Sequence, residues 1–154
     1  MSILKITGDL IADGFIHGKI DVPNFDDVVF PHADDDGIDP KALDRLDILQ
    51  QTIEQIVSPA EYVSRCMWHS ADHYSQQFHN DSYEGFNSSF LVYLDPPLQN
   101  CIQIKNTILD KVNTIYAGPN EFVWLNQKEQ YQHRVVYKDG QRRVIGFEYN
   151  IPWI

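Results

Sequence analysis

Cysteine is scarce in this sequence, with only Cys66 and Cys101 among 154 residues. Two thiols do not make the dense staple framework of a small secreted domain, and they read as reduced thiols of an intracellular protein. Cationic residues are also few. Twelve Lys and Arg stand against 22 Asp and Glu, for a net charge of -10. No nucleic acid is expected as a partner, because gripping phosphates needs a basic surface. No apolar run approaches the roughly 20 residues of a membrane-spanning helix, so no membrane association is expected either. The N-terminus lacks the basic-then-apolar order of a signal peptide, which makes the expected location cytoplasmic. Repeats, low-complexity tracts and linkers are absent. Oligomeric state leaves no trace in the pattern.

What is present is the material of one globule. An apolar fraction of 43% over this length suits a single domain with a real core, spanning residues 1–154. The acid excess lies in the first sixty residues, at Asp26-Asp27 and Asp34-Asp35-Asp36, and reads as a solvated loop. Asp39-Pro40 is a good N-cap and first helical residue. From there Leu43, Leu46, Leu49, Ile53, Ile56 and Val57 recur at three- and four-residue steps until Ser58-Pro59 stops the helix. The rest reads as short strands separated by turn residues. The expected fold is therefore mainly β with one major helix, a double-stranded β-helix of jelly-roll type backed by that helix. Residues 1–60 would give N-terminal strands, the acidic loop and the supporting helix, and residues 61–154 the β-helix core. Trp68, Phe90, Trp124 and Phe147 are expected to fill space between sheets. The apolar end, Ile151-Pro152-Trp153-Ile154, should dock on the body or on a neighbour.

Two stretches carry chemistry. In Gln77-Phe78-His79-Asn80-Asp81, the His and Asp are two apart, so a strand over Asp72–Asp81 would point both to one face. His133 lies in a later strand-like run. Two imidazoles and one carboxylate on one face form a facial triad, the ligand set of non-haem Fe(II), with positions left open. On the same alternation His73 and Gln77 would line the site, although His73 reads more readily as a turn residue. The second stretch is Lys138-Asp139-Gly140, read as the turn of a hairpin from Gln132 to Tyr149. A three-residue loop would turn Arg143 to the same side as His133, Val135 and Ile145. A two-residue Asp-Gly loop would shift the register and turn Arg142 there instead. Arg143 is preferred and Arg142 is the alternative. Either guanidinium would grip a carboxylate through forked hydrogen bonds. Arg134, next to His133, should face outward.

Over Tyr74 to Tyr149 this ordered set resembles the Fe(II)- and 2-oxoglutarate-dependent dioxygenases, most closely their prolyl-hydroxylase-like branch. It comprises His79-Asn80-Asp81, Tyr93-Leu94-Asp95, His133, Lys138-Asp139-Gly140 and Arg143. The resemblance implies Fe(II) held by His79, Asp81 and His133. It implies 2-oxoglutarate as co-substrate, with its distant carboxylate on Arg143 and a hydrogen bond from Tyr93. It also implies O2 and a substrate that becomes hydroxylated while succinate is released, either peptidyl, with prolyl among the options, or a small molecule. The sequence departs from that pattern at Ile145, where a small hydroxyl residue often follows the Arg by two. The rival expectation is a jelly-roll structural, assembly or binding protein without redox chemistry, because a scaffold does not guarantee an activity. A further option is a cupin-like metal enzyme that uses no 2-oxoglutarate.

Overall fold

A computed structural model describes residues 3–32, 37–70, 74–138, 140 and 142–154. The acidic triplet Asp34-Asp35-Asp36, the candidate His73, and Asp139 and Gln141 of the expected hairpin lie outside the described residues. Among the described residues, ten strands make two antiparallel sheets. They are β1 (Ile3–Asp9), β2 (Phe15–Ile20), β3 (Glu61–Ser70), β4 (Tyr74–Ser75), β5 (Ser88–Tyr93), β6 (Cys101–Asn106), β7 (Lys111–Ile115), β8 (Glu121–Asn126), β9 (Tyr131–Tyr137) and β10 (Arg142–Asn150). The major sheet runs β1-β2-β8-β5-β10-β3 and the minor sheet β4-β9-β6-β7. Apart from the consecutive pairs β1-β2 and β6-β7, neighbouring strands come from distant parts of the chain, as in a double-stranded β-helix. The strands β1 and β2 widen the major sheet beyond β8, so the first sixty residues contribute to the sheet as well as supporting it.

One helix, α1 (Leu43–Val57), covers the outer face of the major sheet. It begins as anticipated. The Asp39 carboxylate accepts from the Lys41 amide at 3.1 Å, Pro40 opens a short 3-10 turn, and α1 follows directly. Leu46, Leu49, Ile53 and Val57 are fully buried against Phe90, Phe147 and Tyr149 of the sheet. Each such side chain contributes about 1.5–3 kcal/mol of burial. Leu43 falls off that stripe and is exposed. Phe90, Trp124 and Phe147 are core, but in the cluster beneath α1 rather than between the sheets as expected, because alternation turns them to the outer face. Of the expected set only Trp68 faces the interior. The Phe90 ring stacks on Phe122 at 4.6 Å. The C-terminal segment docks on the body: Ile151 is buried in this same core and Trp153 meets Trp124 edge-on at 5.9 Å. Between the sheets lies a second, smaller cluster that includes Tyr93, Ile102, Ile104, Val123, Leu125 and Val144. It fills only part of the interior, and the remainder is open.

The expected hairpin does not form. β9 pairs with β4 and β6, whereas β10 pairs with β3 and β5, so residues 138–141 carry the chain from one sheet to the other. Gly140 does take the left-handed conformation (φ 67°) expected of it. Its role is in an arch between sheets rather than a two-strand turn. With no pairing between β9 and β10, the hairpin register that favoured Arg143 has no basis.

Candidate metal centre

His79 and His133 are direct neighbours across the minor sheet. They exchange both backbone hydrogen bonds, His79 N to His133 O at 3.0 Å and His133 N to His79 O at 2.9 Å. Their rings stand 4.4 Å apart. Asp81 completes the group, with its carboxylate 3.7 Å from His79 Nε2 and 3.1 Å from His133 Nε2. One ligand atom from each of the three residues lies within 4.8 Å of the others. The His79 Nδ1 donates to the Gln77 carbonyl at 2.8 Å, which puts the proton on Nδ1 and leaves the Nε2 lone pair facing the carboxylate.

The route to this convergence is not the continuous strand expected over Asp72–Asp81. β4 is only Tyr74–Ser75, and the chain then bends at Phe78. Phe78 lies under the Arg134 guanidinium at 4.5 Å, on the outer side, where Arg134 also donates to Gln103 at 2.6 Å. The bend breaks the alternation. Gln77 is exposed, and Gln76 lines the interior in its place, with its side chain accepting from Val135 N at 3.1 Å. Past the bend, Asn80 anchors the loop by donating to the carbonyls of Gln127, Lys128 and Tyr131 at 2.8–2.9 Å. The buried Gln127 accepts from Asp81 N at 3.2 Å and donates to Ser89 Oγ at 3.0 Å. Burial pushes the Asp81 carboxyl upward most strongly. The His133 hydrogen bond, both imidazoles and Gln127 together outweigh it and hold the group below the usual carboxylate range. Asn80 and Gln127 were not legible as site residues. Only the residue between the His and the Asp could have hinted at the first, and the second acts through long-range contacts.

The triad opens into a cavity of about 270 Å³ between the sheets. A smaller cavity of about 40 Å³ adjoins it, sharing the Trp68, Leu91 and Val135 walls. Arg142, Tyr93, Tyr137 and Val144 close the inner end. Here the preference for Arg143 is corrected. Arg143 points away from the interior, pairs with Asp95 at 2.8 Å and Asp26 at 3.5 Å, and covers the Phe30 ring. Arg142 is the inward residue, 3% exposed, with its guanidinium 4.3 Å from the Tyr93 ring centre and Nη2 donating to the Ala117 carbonyl at 2.7 Å. Its Nε is buried with no hydrogen-bond partner. An unsatisfied charged donor in a buried site is costly, and an anionic ligand would satisfy it. The residue two beyond Arg142 is Val144, so this position also lacks a hydroxyl.

The donor set fits an Fe(II)-type ion: two imidazole nitrogens and one carboxylate oxygen on one side, with a cavity on the other. Among the described residues no other group of three or more His, Cys, Asp or Glu side chains is positioned to hold an ion. Cys66 and Cys101 are unpaired thiols, and no helix is long and apolar enough to cross a membrane.

Comparison with known proteins places this architecture. No protein-family model matches the sequence, and no curated protein matches it significantly. By structure, the chain has the jelly-roll fold of the 2-oxoglutarate- and Fe(II)-dependent oxygenases. It is similar to AviO1 from Streptomyces viridochromogenes Tue57 at 15% identity and a TM-score of 0.64, covering 91% of this chain and 90% of that one. It is similar to SnoN, a non-haem alpha-ketoglutarate-dependent epimerase from nogalamycin biosynthesis, at 13% identity and 0.64, covering 91% and 78%. A prolyl-4-hydroxylase of Pseudomonas putida aligns at 12% identity and 0.60, covering 92% and 90%.

Proposed function

We propose that this protein is an Fe(II)- and 2-oxoglutarate-dependent oxygenase that hydroxylates a peptidyl or small-molecule substrate. The observation that carries the proposal is the pairing, in one interior, of the His79–Asp81–His133 group with a buried guanidinium whose Nε has no partner. His79, Asp81 and His133 hold the ion. The Arg142 fork takes the far carboxylate of 2-oxoglutarate, and Tyr93, under that guanidinium, walls the same end. With iron and co-substrate bound, the site would use O2 to convert 2-oxoglutarate to succinate and CO2 and place one oxygen atom on the substrate. The protein's part is orientation. The His79 Nδ1–H bond to Gln77 fixes its tautomer, and Asn80 and Gln127 lock the Asp81 loop in place. Trp68 and Leu91 line the passage between the triad and the Arg142 end with apolar surface.

Fidelity to prolyl residues is a finer reading, supported by the resemblance of the sequence motifs and by the fold shared with a prolyl-4-hydroxylase. The experiment is an anaerobic titration of the purified chain with Fe(II) and then 2-oxoglutarate. A weak visible charge-transfer band is expected, and it should be lost in Asp81→Ala together with retained iron. Iron content unchanged in Asp81→Ala, or no band in the unaltered chain, ends the proposal.

A further inference from the structure

The inner surface of β10 places opposite charges at the two ends of the interior. Arg142, Val144, Gly146 and Glu148 alternate on that surface. Arg142 lies at the closed end and Glu148 in the wall of the larger cavity that holds the triad. The two are six residues apart, about 20 Å along a strand. Gly146 lies between them, and the Trp68 ring passes so close that a Cβ there would sit 3.2 Å from it. The closed end is therefore cationic and suited to a dicarboxylate. The mouth is acidic: Glu84 and Glu148 line it beyond the triad, and among the described lining residues there is no Lys or Arg.

Glu148 is held as a recognition group is held. Ser64, its cross-strand neighbour, donates to Oε2 at 3.1 Å, and the Cys66 thiol is 3.8 Å from Oε1. On its other side it is paired with Ser89, whose hydroxyl accepts from Gln127, the residue that also receives Asp81 N. Strand pairing thus sets Glu148 beside the Ser89 that anchors Gln127 and, through it, the Asp81 loop. Among the described residues no Lys, Arg or His comes within ion-pair distance of Glu148. A carboxylate turned into a ligand-sized cavity, steadied by neutral donors and lacking a countercharge, calls for the countercharge to arrive with the ligand. Burial pushes its carboxyl up to about 7.

We infer that the substrate carries a basic nitrogen, an ammonium or guanidinium group, and that Glu148 receives it at the mouth while the bond to be oxidised faces the triad. This rests on the reading of His79, Asp81 and His133 as the metal site. Glu148 would then be a specificity-determining residue that admits cationic substrates and, with Glu84, turns anionic ones away.

The test is a two-dimensional NMR titration of the full chain, loaded with Zn(II) and 2-oxoglutarate, near pH 8 where Glu148 is ionised. The probes are N-acetyl-lysine methylamide, its neutral isostere N-acetyl-norleucine methylamide, and N-acetyl-glutamate methylamide. The lysine probe alone should give saturable shifts at the Trp68 indole and the Gln127 side-chain amide. Glu148→Gln should weaken it by about tenfold, the factor for turning a charge-assisted hydrogen bond into a neutral one. Equal binding of the lysine and norleucine probes overturns the inference, as does no saturable shift with the lysine probe, or a Glu148→Gln variant that binds lysine undiminished. Should that variant fail to fold, the comparison of the three probes on the unaltered chain still decides. Zn(II) binding measured alongside separates the two readings. Zinc held without preference for lysine sinks this inference alone. Preference for lysine without zinc binding sinks the metal assignment and leaves Glu148 as a cation site.

Discussion

The two faces of β10 do different work. Toward α1 the strand presents Arg143, Ile145, Phe147 and Tyr149. The last three are wholly buried in the main core, and the first is tied to Asp95. Toward the other sheet it presents Arg142, Val144, Gly146 and Glu148, bordering cavities and leaving a charged group at either end. One face closes space and the other keeps it open. The difference teaches that stability and candidate chemistry are interleaved residue by residue, so substitutions one position apart should report on different properties.

The largest effect belongs on the core face. Phe147→Ala removes a ring with no solvent exposure that packs beneath α1. It should cost about 3–5 kcal/mol, measured by urea unfolding, which is a large share of an ordinary domain's stability. A loss below ~1 kcal/mol would mean that the two faces are not divided as described, since a buried ring cannot be truncated that cheaply.

Next comes the guanidinium pair. Arg142→Met should weaken 2-oxoglutarate binding to the metal-loaded protein by about a hundredfold, as when one partner of a buried charge pair is truncated. Arg143→Met should leave it unchanged, because that side chain faces Asp95 and Phe30. Calorimetry on both variants gives the answer, and the reverse result would restore the hairpin register.

Those two arginines also mark how far the sequence could be read. The helix was legible because Asp39-Pro40, the apolar stripe and Ser58-Pro59 all agree locally. The strands were legible from alternation, and His79, Asp81 and His133 from their residue types and order. Which arginine turns inward depends on whether the 138–141 segment joins two paired strands or two sheets. That is a tertiary choice which a local turn pattern does not make. Gln77 was misplaced for a related reason, the bend at Phe78, which shifts the alternation without a Gly or Pro to announce it. Glu148 does carry a signal in the sequence. A lone acid inside Val144-Ile145-Gly146-Phe147-Glu148-Tyr149, flanked by residues too apolar for an exposed strand, is an acid close to the interior.

The pH dependence of stability sharpens the contrast further. Glu148 rises from an ordinary 4.5 to about 7 in the folded, metal-free protein, chiefly through burial. Between those values the folded state holds a proton that the unfolded state has released. Stability from this group is therefore full below about 4.5, falls as pH rises through about 7, and is level above. The loss is roughly 3 kcal/mol, and Glu148→Gln should abolish it. Urea midpoints at several pH values test this. A variant that loses stability over the same window as the parent would assign the fall to another group.

The smallest effect is the one that separates an ion pair on the outer face from a charge at the inner one. Arg143 and Asp95 are both partly exposed, their oxygens and nitrogens meet at 2.8 Å, and Asp95 also accepts from the Arg143 amide at 2.7 Å. In Arg143→Ala the amide bond survives, so what is lost is the side-chain pair with Asp95, the longer and more exposed contact to Asp26, and the cover over Phe30. About 1 kcal/mol or less is expected, as for other partly solvated pairs, and it should shrink further at high salt. Asp95→Ala should cost more than Arg143→Ala, because it removes the acceptor of that amide as well. Equal costs for the two would show that the backbone bond carries nothing, and the anchoring of β10 beside Arg142 would then have to come from its strand pairing alone.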